Sequence, residues 1–306
     1  YSADGVRLGV LLCAPAGNDL LYKHELSEQG RNFANKVWNA LRLVDGWVVD
    51  EDLKQPELLP AIQWFDAKLR SSIAKVNESY SKYRLSEAAM ELYKLVWDDF
   101  CSWYLEMIKP GFEQPISREI YDATMNFFEE ITVLLHPMMP FITEEVWQTV
   151  KKRKDGESIM TATWPSDDGQ DKDLITFGEK MQGLVSGIRN IRSSIGMSPK
   201  ESVEVFIASK DNGYDENAGL IKKLANISNL SYTTETVSGA KSFIIGTDEI
   251  FVPVAIDVEK EKEEMQAELK RQKGFLIGVA KKLGNERFVA NAPEAVVLSE
   301  KKKQAD

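Results

Sequence analysis

The sequence predicts a mainly α protein with three components: a helical bundle, a small α/β unit, and an antiparallel coiled-coil hairpin. Three observations carry this expectation. Four segments between residues 29 and 153 place apolar residues at helical spacing and are separated by Pro-containing breaks. Two later runs, Val203, Val205, Ile207 and Ile250, Val252, Val254, Ile256, alternate with a period of two, as half-buried strands do. From Asp257 onward Val258, Met265, Leu269, Leu276, Val279 and Leu283 recur at seven, four and three residues in a strongly charged background, which is a coiled-coil seam. A chain of 306 residues is too long for one ordinary bundle. The expected division is a trailing segment at 1–28, the bundle at 29–165, the α/β unit at 171–256 and the coiled coil at 257–306.

Residues 1–23 read as a short mixed segment with a Pro15, Gly17, Asn18 turn cluster, the trailing piece of another domain. The first bundle helix aligns Phe33, Val37, Leu41 and Val44, and the second Phe65, Leu69, Ile73, Val76 and Tyr80. A third is expected to start near Ser86 as N-cap, to carry Leu92, Val96, Trp97, Phe100, Trp103, Tyr104 and Met107 on one side, and to stop at Pro110 and Gly111. The fourth carries Ile120, Phe127, Ile131 and Leu134. Pro137 and Pro140 then break the chain, and Thr143 followed by Glu144 and Glu145 is expected to restart a helix with acids in its first turn. Beyond the turn-rich 166–170, a helix to about Ile195 precedes the strands. Pro253 cannot donate to a ladder, so the last strand is expected at a sheet edge or a bulge, and the sheet to be exposed. Gly284 and Asn285 mark the hairpin turn, with a return arm from about Pro293 to Asp306 that is shorter than the outgoing one. The chain is expected to be an excised piece, with more sequence on either side.

No apolar run reaches the roughly 18 residues of a membrane span, and none of the features of a signal peptide follows Tyr1. Cys13 and Cys101 are isolated and only two His are present, which leaves no disulfide framework or metal site and fits a reducing, cytoplasmic setting. A nucleophile paired with a base, a metal cluster and a Gly-rich phosphate loop are all lacking at workable spacing, so no catalytic residue is assigned. His136, between Leu135 and Pro137, reads as a packed turn residue. The net charge of −10 argues against a polyanionic partner until its distribution is considered. Residues 257–306 hold 11 Lys and Arg against 10 Asp and Glu, leaving −11 on the first 256, and within 269–287 six cations, Lys270, Arg271, Lys273, Lys281, Lys282 and Arg287, face only Glu286. Lysines on an exposed coiled coil suit an RNA contact or simple solvation equally well. The helix at 31–44 is more pointed. Arg31, Asn32, Asn35, Lys36, Asn39 and Arg42 recur every three to four residues without an acid among them. Solvated faces usually mix in Glu, and amides with cations suit base edges and phosphates, so RNA contact is the favoured reading. The aromatic row Trp97, Phe100, Trp103, Tyr104 reads as core packing rather than a stacking platform. Arg189 and Arg192 suit a phosphate or a structural support, and the residues do not choose between them.

Several strings resemble a known family. RNFANKVWNALRLV at 31–44, WDDFCSWYLEMIKP at 97–110 and HPMMPFITEEVWQ at 136–148 resemble the anticodon-binding bundle of class I aminoacyl-tRNA synthetases for branched aliphatic amino acids. RNIRSSIGMSPKE at 189–201 resembles the helix and loop that follow it, and NERFVANAPEAVV at 285–297 resembles the coiled-coil turn of the valyl-tRNA synthetases. YSADGVRLG at 1–9 resembles the segment just after the KMSKS signature, while neither that signature nor HIGH occurs here. The resemblance implies an intact enzyme that activates valine with ATP and Mg and charges tRNA(Val). It implies that this region lacks the catalytic and editing domains, is inactive alone, holds no cofactor and orients the tRNA; separately, the chain is expected to be monomeric. Asn35, Lys36 and Asn39 match the anticodon-side helix, and Leu43 stands where some relatives carry an aromatic. The coiled coil of the family packs on the outer corner of tRNA, a role that would fall to the basic stretch from Lys270 to Arg287. Two other readings are a different synthetase of the same class, and a helical scaffold whose coiled coil binds a protein.

Overall fold

The computed structural model describes residues 1–13, 22–209, 213–254 and 258–284, with the side chains at 216, 258–265, 267, 268 and 282 left aside. Two compact units result: Tyr1–Thr236 with Ser242–Val252, and Val237–Lys241 with the chain from Pro253. The bundle and the sheet belong mainly to the first.

Residues 1–13 contain a helix that packs on the next one. Helix α1 (Ala3–Leu12) is capped by the Ser2 side chain and lies against α2 (His24–Asp45) at backbone contact distance. A Cβ on Gly30 would stand 2.2 Å from the Gly5 carbonyl oxygen, and one on Gly9 would stand 2.6 Å from that of Leu26. Only hydrogen fits there. Phe33, Val37, Leu41 and Val44 are buried as the spacing predicts. Strand β1 (Val49–Asp50) pairs in parallel with β2 (Ile116–Ser117), tying the loop after α2 to the start of a later helix.

Helix α3 (Leu59–Ser81) buries Phe65, Leu69, Ile73 and Val76 of the predicted row, while its last member, Tyr80, is half-buried near the helix end. The third predicted helix is three pieces: α4 (Leu85–Lys94), a π-helical segment Leu95–Tyr104, and α5 (Leu105–Ile108). It begins at Leu85 after Arg84, not at a Ser86 cap, because Tyr83 at φ 58° closes the α3–α4 turn. The i→i+5 bonding of the middle piece widens each turn beyond the 3.6 residues of an α-helix, so residues predicted on one face diverge. Phe100 and Tyr104 are buried while Trp97 and Trp103 are half-exposed.

Helix α6 (Arg118–Leu135) is capped by Ser117 and buries Ile120, Phe127, Ile131 and Leu134. Helix α7 (Pro140–Val150) starts at Pro140 rather than at Thr143. Its cap comes from α1: the Asp4 carboxylate accepts from the backbone N–H of Phe141 (3.3 Å) and Ile142 (2.7 Å). An anion belongs at a helix N-terminus, and Pro at N1 has no N–H to leave unpaired. Thr143 is buried instead and donates to the Met139 carbonyl.

Helix α8 (Lys172–Ser194) carries an Asp171 cap and packs on α3, where a Cβ at Gly178 would lie 1.9 Å from Trp64 Nε1. The sheet comprises β3 (Val203–Ala208), β4 (Ile227–Tyr232), β5 (Ala240–Ile245) and β6 (Asp248–Pro253) in the order β4-β3-β6-β5. Strands β3 and β4 are parallel, linked through α9 (Ala218–Ala225), and β3 and β6 are antiparallel. Pro253 demands no edge: β6 lies inside the sheet and Pro253 is its last residue. Nor is the sheet generally exposed, since Val205, Ile207, Ile250 and Val252 are fully buried. Helix α10 (Val258–Leu283) follows as predicted, and the return arm at 293–306 lies outside the described residues.

One buried polar cluster pins the sheet. Asp248 accepts from Ser209 (2.7 Å) and Tyr214 (3.0 Å) and pairs with Lys180 at 3.5 Å. Burial pushes its carboxyl up, but the Ser209 and Tyr214 hydrogen bonds and the Lys180 charge outweigh that and leave it below its ordinary value. A depressed carboxyl contributes stability that is full above its unfolded pKa and is lost as pH falls through the native one. Asp248→Asn should therefore lose stability at neutral pH, and the gap from wild type should close as pH falls below about 4; denaturant midpoints across pH check this. Gly30→Ala should destabilise by roughly 1–3 kcal/mol through overpacking. Gly219→Ala in α9, where a Cβ meets nothing within 4 Å, should instead stabilise by up to about 1 kcal/mol, as compared by thermal melts.

Candidate RNA-binding surface

Helix α2 presents the predicted polar face to solvent. Asn32, Asn35, Asn39 and Arg42 are exposed, and among the described residues their side chains make no hydrogen bond or ion pair. The other two members differ. Arg31 pairs with Glu28 at 3.0 Å, one turn earlier, and its guanidinium lies 5.8 Å from the Tyr1 ring centroid. The face is thus flanked by an acid that a count beginning at Arg31 does not see. Lys36 is half-buried, with Nζ 5.4 Å from the Trp97 ring centroid. That ring stacks on Tyr93 (5.6 Å, 6°), and Tyr93 stacks on Phe33 (4.9 Å, 24°). Lys36 is the cationic lid of an aromatic pile, a contact that fixes the ammonium at the edge of the amide row.

At the C-terminal end of α2 three apolar side chains stand in solvent: Leu43 at 43% exposure, Val48 at 69% and Phe112 at 91%. The Ile116 N–H donates to the Val48 carbonyl at 2.9 Å, so the loops bearing Val48 and Phe112 meet at the same end of the bundle. Phe112 sits in a turn closed by Gln114 N–H to the Gly111 carbonyl at 3.0 Å, with Glu113 at φ 57°. Nothing in local periodicity marks Val48 or Phe112, because their exposure depends on pairing between residues 67 positions apart.

Other candidates resolve into supports. Arg192 is buried and donates to the carbonyls of Ala225, Asn226 (2.8 Å) and Glu201 (2.9 Å), and Arg189 donates to that of Leu224 at 3.1 Å. Two cations thereby close the carbonyl end of α9, where the macrodipole favours them. Arg189 also lies 5.8 Å from the Trp103 ring centroid. His136 is half-buried, with Nδ1 2.8 Å from the Thr143 hydroxyl, and burial lowers its pKa. The Cys101 thiol is pushed up to about 12 by burial, against a smaller opposing pull from Lys36, which keeps it protonated and unreactive. Among the described residues no three His, Cys, Asp or Glu side chains gather as a metal site, and no helix is long and apolar enough to cross a membrane.

Along α10, Lys270, Arg271, Lys273 and Lys281 are exposed. Lys270 and Lys281 are eleven residues apart, close to three turns, and share one side with Lys273. The Lys282 side chain and the whole of Arg287 lie outside the described residues.

Residues 63–207 match the model of the anticodon-binding domain of tRNA ligases, and residues 257–306 match the model of the valyl-tRNA synthetase tRNA-binding arm. The chain belongs to the valine-tRNA ligase family. It is 50% identical over its whole length to the valine-tRNA ligase of Parabacteroides distasonis, 46% to that of Christiangramia forsetii, and 34% over 99% of its length to that of Carboxydothermus hydrogenoformans. It spans only 35% to 36% of the length of these relatives. The ligase-family anticodon match begins inside α3, so α2 with its amide row lies outside it, and it ends within β3. The scaffold reading, which predicts no tie to RNA, is set aside by both matches.

Arg192→Ala should cost roughly 2–3 kcal/mol, because it leaves three inward-facing carbonyls without a charged donor. Arg189→Ala, at an exposed position, should cost well under 1 kcal/mol. Equal effects in urea titrations would contradict the capping assignment.

Proposed function

We propose that this chain is the RNA-gripping region of an enzyme that activates valine with ATP and Mg and charges tRNA(Val). In that reading the chain itself carries out no chemistry. Its bundle recognises the anticodon arm and its α10 arm grips the outer corner of the tRNA. The observation that carries the reading is the α2 face: four exposed side chains, Asn32, Asn35, Asn39 and Arg42, on one helix of an otherwise acidic protein, with no intramolecular partner among the described residues. Amides with both donors and acceptors free suit unstacked bases, whose edges are exposed in single-stranded loops. Leu43, one residue beyond Arg42, and Phe112 supply apolar surface at the same end of the bundle.

Lys36 has a smaller role in this reading than its neighbours, since its ammonium already rests on Trp97. Lys270, Arg271, Lys273, Lys281, Lys282 and Arg287 are assigned to phosphates and to the shape of the RNA. Such contacts read no sequence and weaken with salt.

Fluorescence anisotropy of the chain with valine tRNA and with an unrelated tRNA of equal length separates these roles. Wild type should prefer valine tRNA. Asn35→Ala with Asn39→Ala should reduce that preference while leaving the salt slope in place. Replacing Lys270, Arg271 and Lys273 by Ala should flatten the slope by roughly 0.7–0.9 per lost phosphate contact, with the preference retained. A wild-type chain that bound both RNAs equally would remove the anticodon assignment, and one that bound neither would remove the reading as a whole.

A further inference from the structure

We propose that the basic turn at 151–154, directly after α7, is a further contact surface for the RNA phosphate backbone, an inference that rests on the tRNA-binding reading above. Lys151, Lys152, Arg153 and Lys154 are consecutive cations on a protein of net charge −10. Lys151, Lys152 and Lys154 are exposed, and among the described residues none of the three ammonium groups is in an ion pair. Elsewhere on the bundle Lys75, Lys82, Arg84, Lys109 and Arg118 each hold an acid.

The turn is built to hold those three charges outward. Arg153 is its anchor: the guanidinium stacks 3.5 Å above the Trp147 ring centroid and pairs with Glu129 at 2.8 Å. On its far side the Glu157 carboxylate accepts from the Lys154 backbone N–H at 2.8 Å, the Glu157 N–H returns to the Lys154 carbonyl at 3.1 Å, and Gly156 at φ 86° closes the bend. Gln148, from the last turn of α7, donates to the Glu157 carbonyl at 2.7 Å. The acid next to Arg153 is thus spent on that guanidinium, and Glu157 on the backbone. Neither is paired with a lysine, and Asp155, exposed and in no ion pair among the described residues, leaves residues 151–157 with four cations against two acids.

Lysines are strongly hydrated point charges without the planar fork that reads bases or carboxylates, so this surface suits phosphates held at ion-pair distance. A backbone already ordered by these contacts loses little entropy on binding, which leaves the attraction undiminished. The turn also lies within residues 63–207, the span matching the anticodon-binding domain. A polyanion approaching an acidic body is drawn to the places where cations are clustered and unpaired.

The test uses the whole chain and salt titrations of binding to valine tRNA and to an unrelated tRNA, comparing wild type, the triple variant K151Q/K152Q/K154Q and the triple variant K151R/K152R/K154R. The Gln variant should flatten the log–log salt slope by about 2, equally on both RNAs, with an unchanged melting temperature, and the Arg variant should keep the wild-type slope. A Gln variant with an unaltered slope, where wild type binds with salt dependence, overturns this inference and leaves the tRNA-binding reading standing. A slope lost in the Arg variant as well overturns the assignment to phosphate charge. Absence of any binding by wild type overturns both readings together.

Discussion

Phe65 is the point on which the bundle turns. Its ring is fully buried and lies 4.9–5.1 Å from those of Phe100, Tyr104 and Phe127, so that one residue of α3 joins the π-helical segment and α6. Phe128 closes the group edge-on to Phe100 at 4.8 Å. Rings of this size fill a core only in a few relative orientations. Phe100 and Tyr104 must therefore both face Phe65, and the wide π winding carries Trp97 and Trp103 off that face towards the surface. Each indole is then covered by a cation from a neighbouring helix, Lys36 of α2 on one and Arg189 of α8 on the other. The position of a polar residue on the candidate RNA face is in this way set by packing two layers beneath it.

What was legible in the sequence follows the same division. The rows on α2, α3 and α6 follow from local spacing and are buried, save Tyr80 near the end of α3, which is half-buried. Helix α1 escaped because its contact with α2 is made through Gly5, Gly9 and Gly30, and a search for apolar periodicity passes over glycine. The four-residue interval between Gly5 and Gly9 was the available signal. The start of α7 was misplaced because its cap, Asp4, comes from 137 residues away. The π winding had no counterpart in composition at all. Within the site, the amides of α2 were readable because a single helix carries them, and Glu28 lay within reach of the same pattern extended one turn back. The roles of Arg189 and Arg192 depend on the carbonyl end of α9, which lies more than thirty residues away in sequence. The turn at 151–154 becomes distinctive only when Trp147 and Glu129 are seen to take up Arg153 and no other cation of the run.

An acidic protein that binds a polyanion has to solve a local problem, and the distances involved are short. At physiological ionic strength charges are screened over about 8 Å, so acids elsewhere on the surface weigh little against three or four cations within that radius. What matters is whether a cation already has a partner. Arg31 of α2 has one in Glu28, whereas Arg42 on the same face and the three lysines after α7 have none among the described residues. In the proposed reading these two surfaces would divide recognition by chemistry. Neutral amides owe little to counterion release and can discriminate among bases, whereas unpaired lysines attract any phosphate backbone and lose their hold as salt rises. In that reading selectivity and grip are separable properties of different side chains, the amides carried on α2 beside the main aromatic core and the lysine turn anchored on the separate Val133, Trp147, Ile159 cluster.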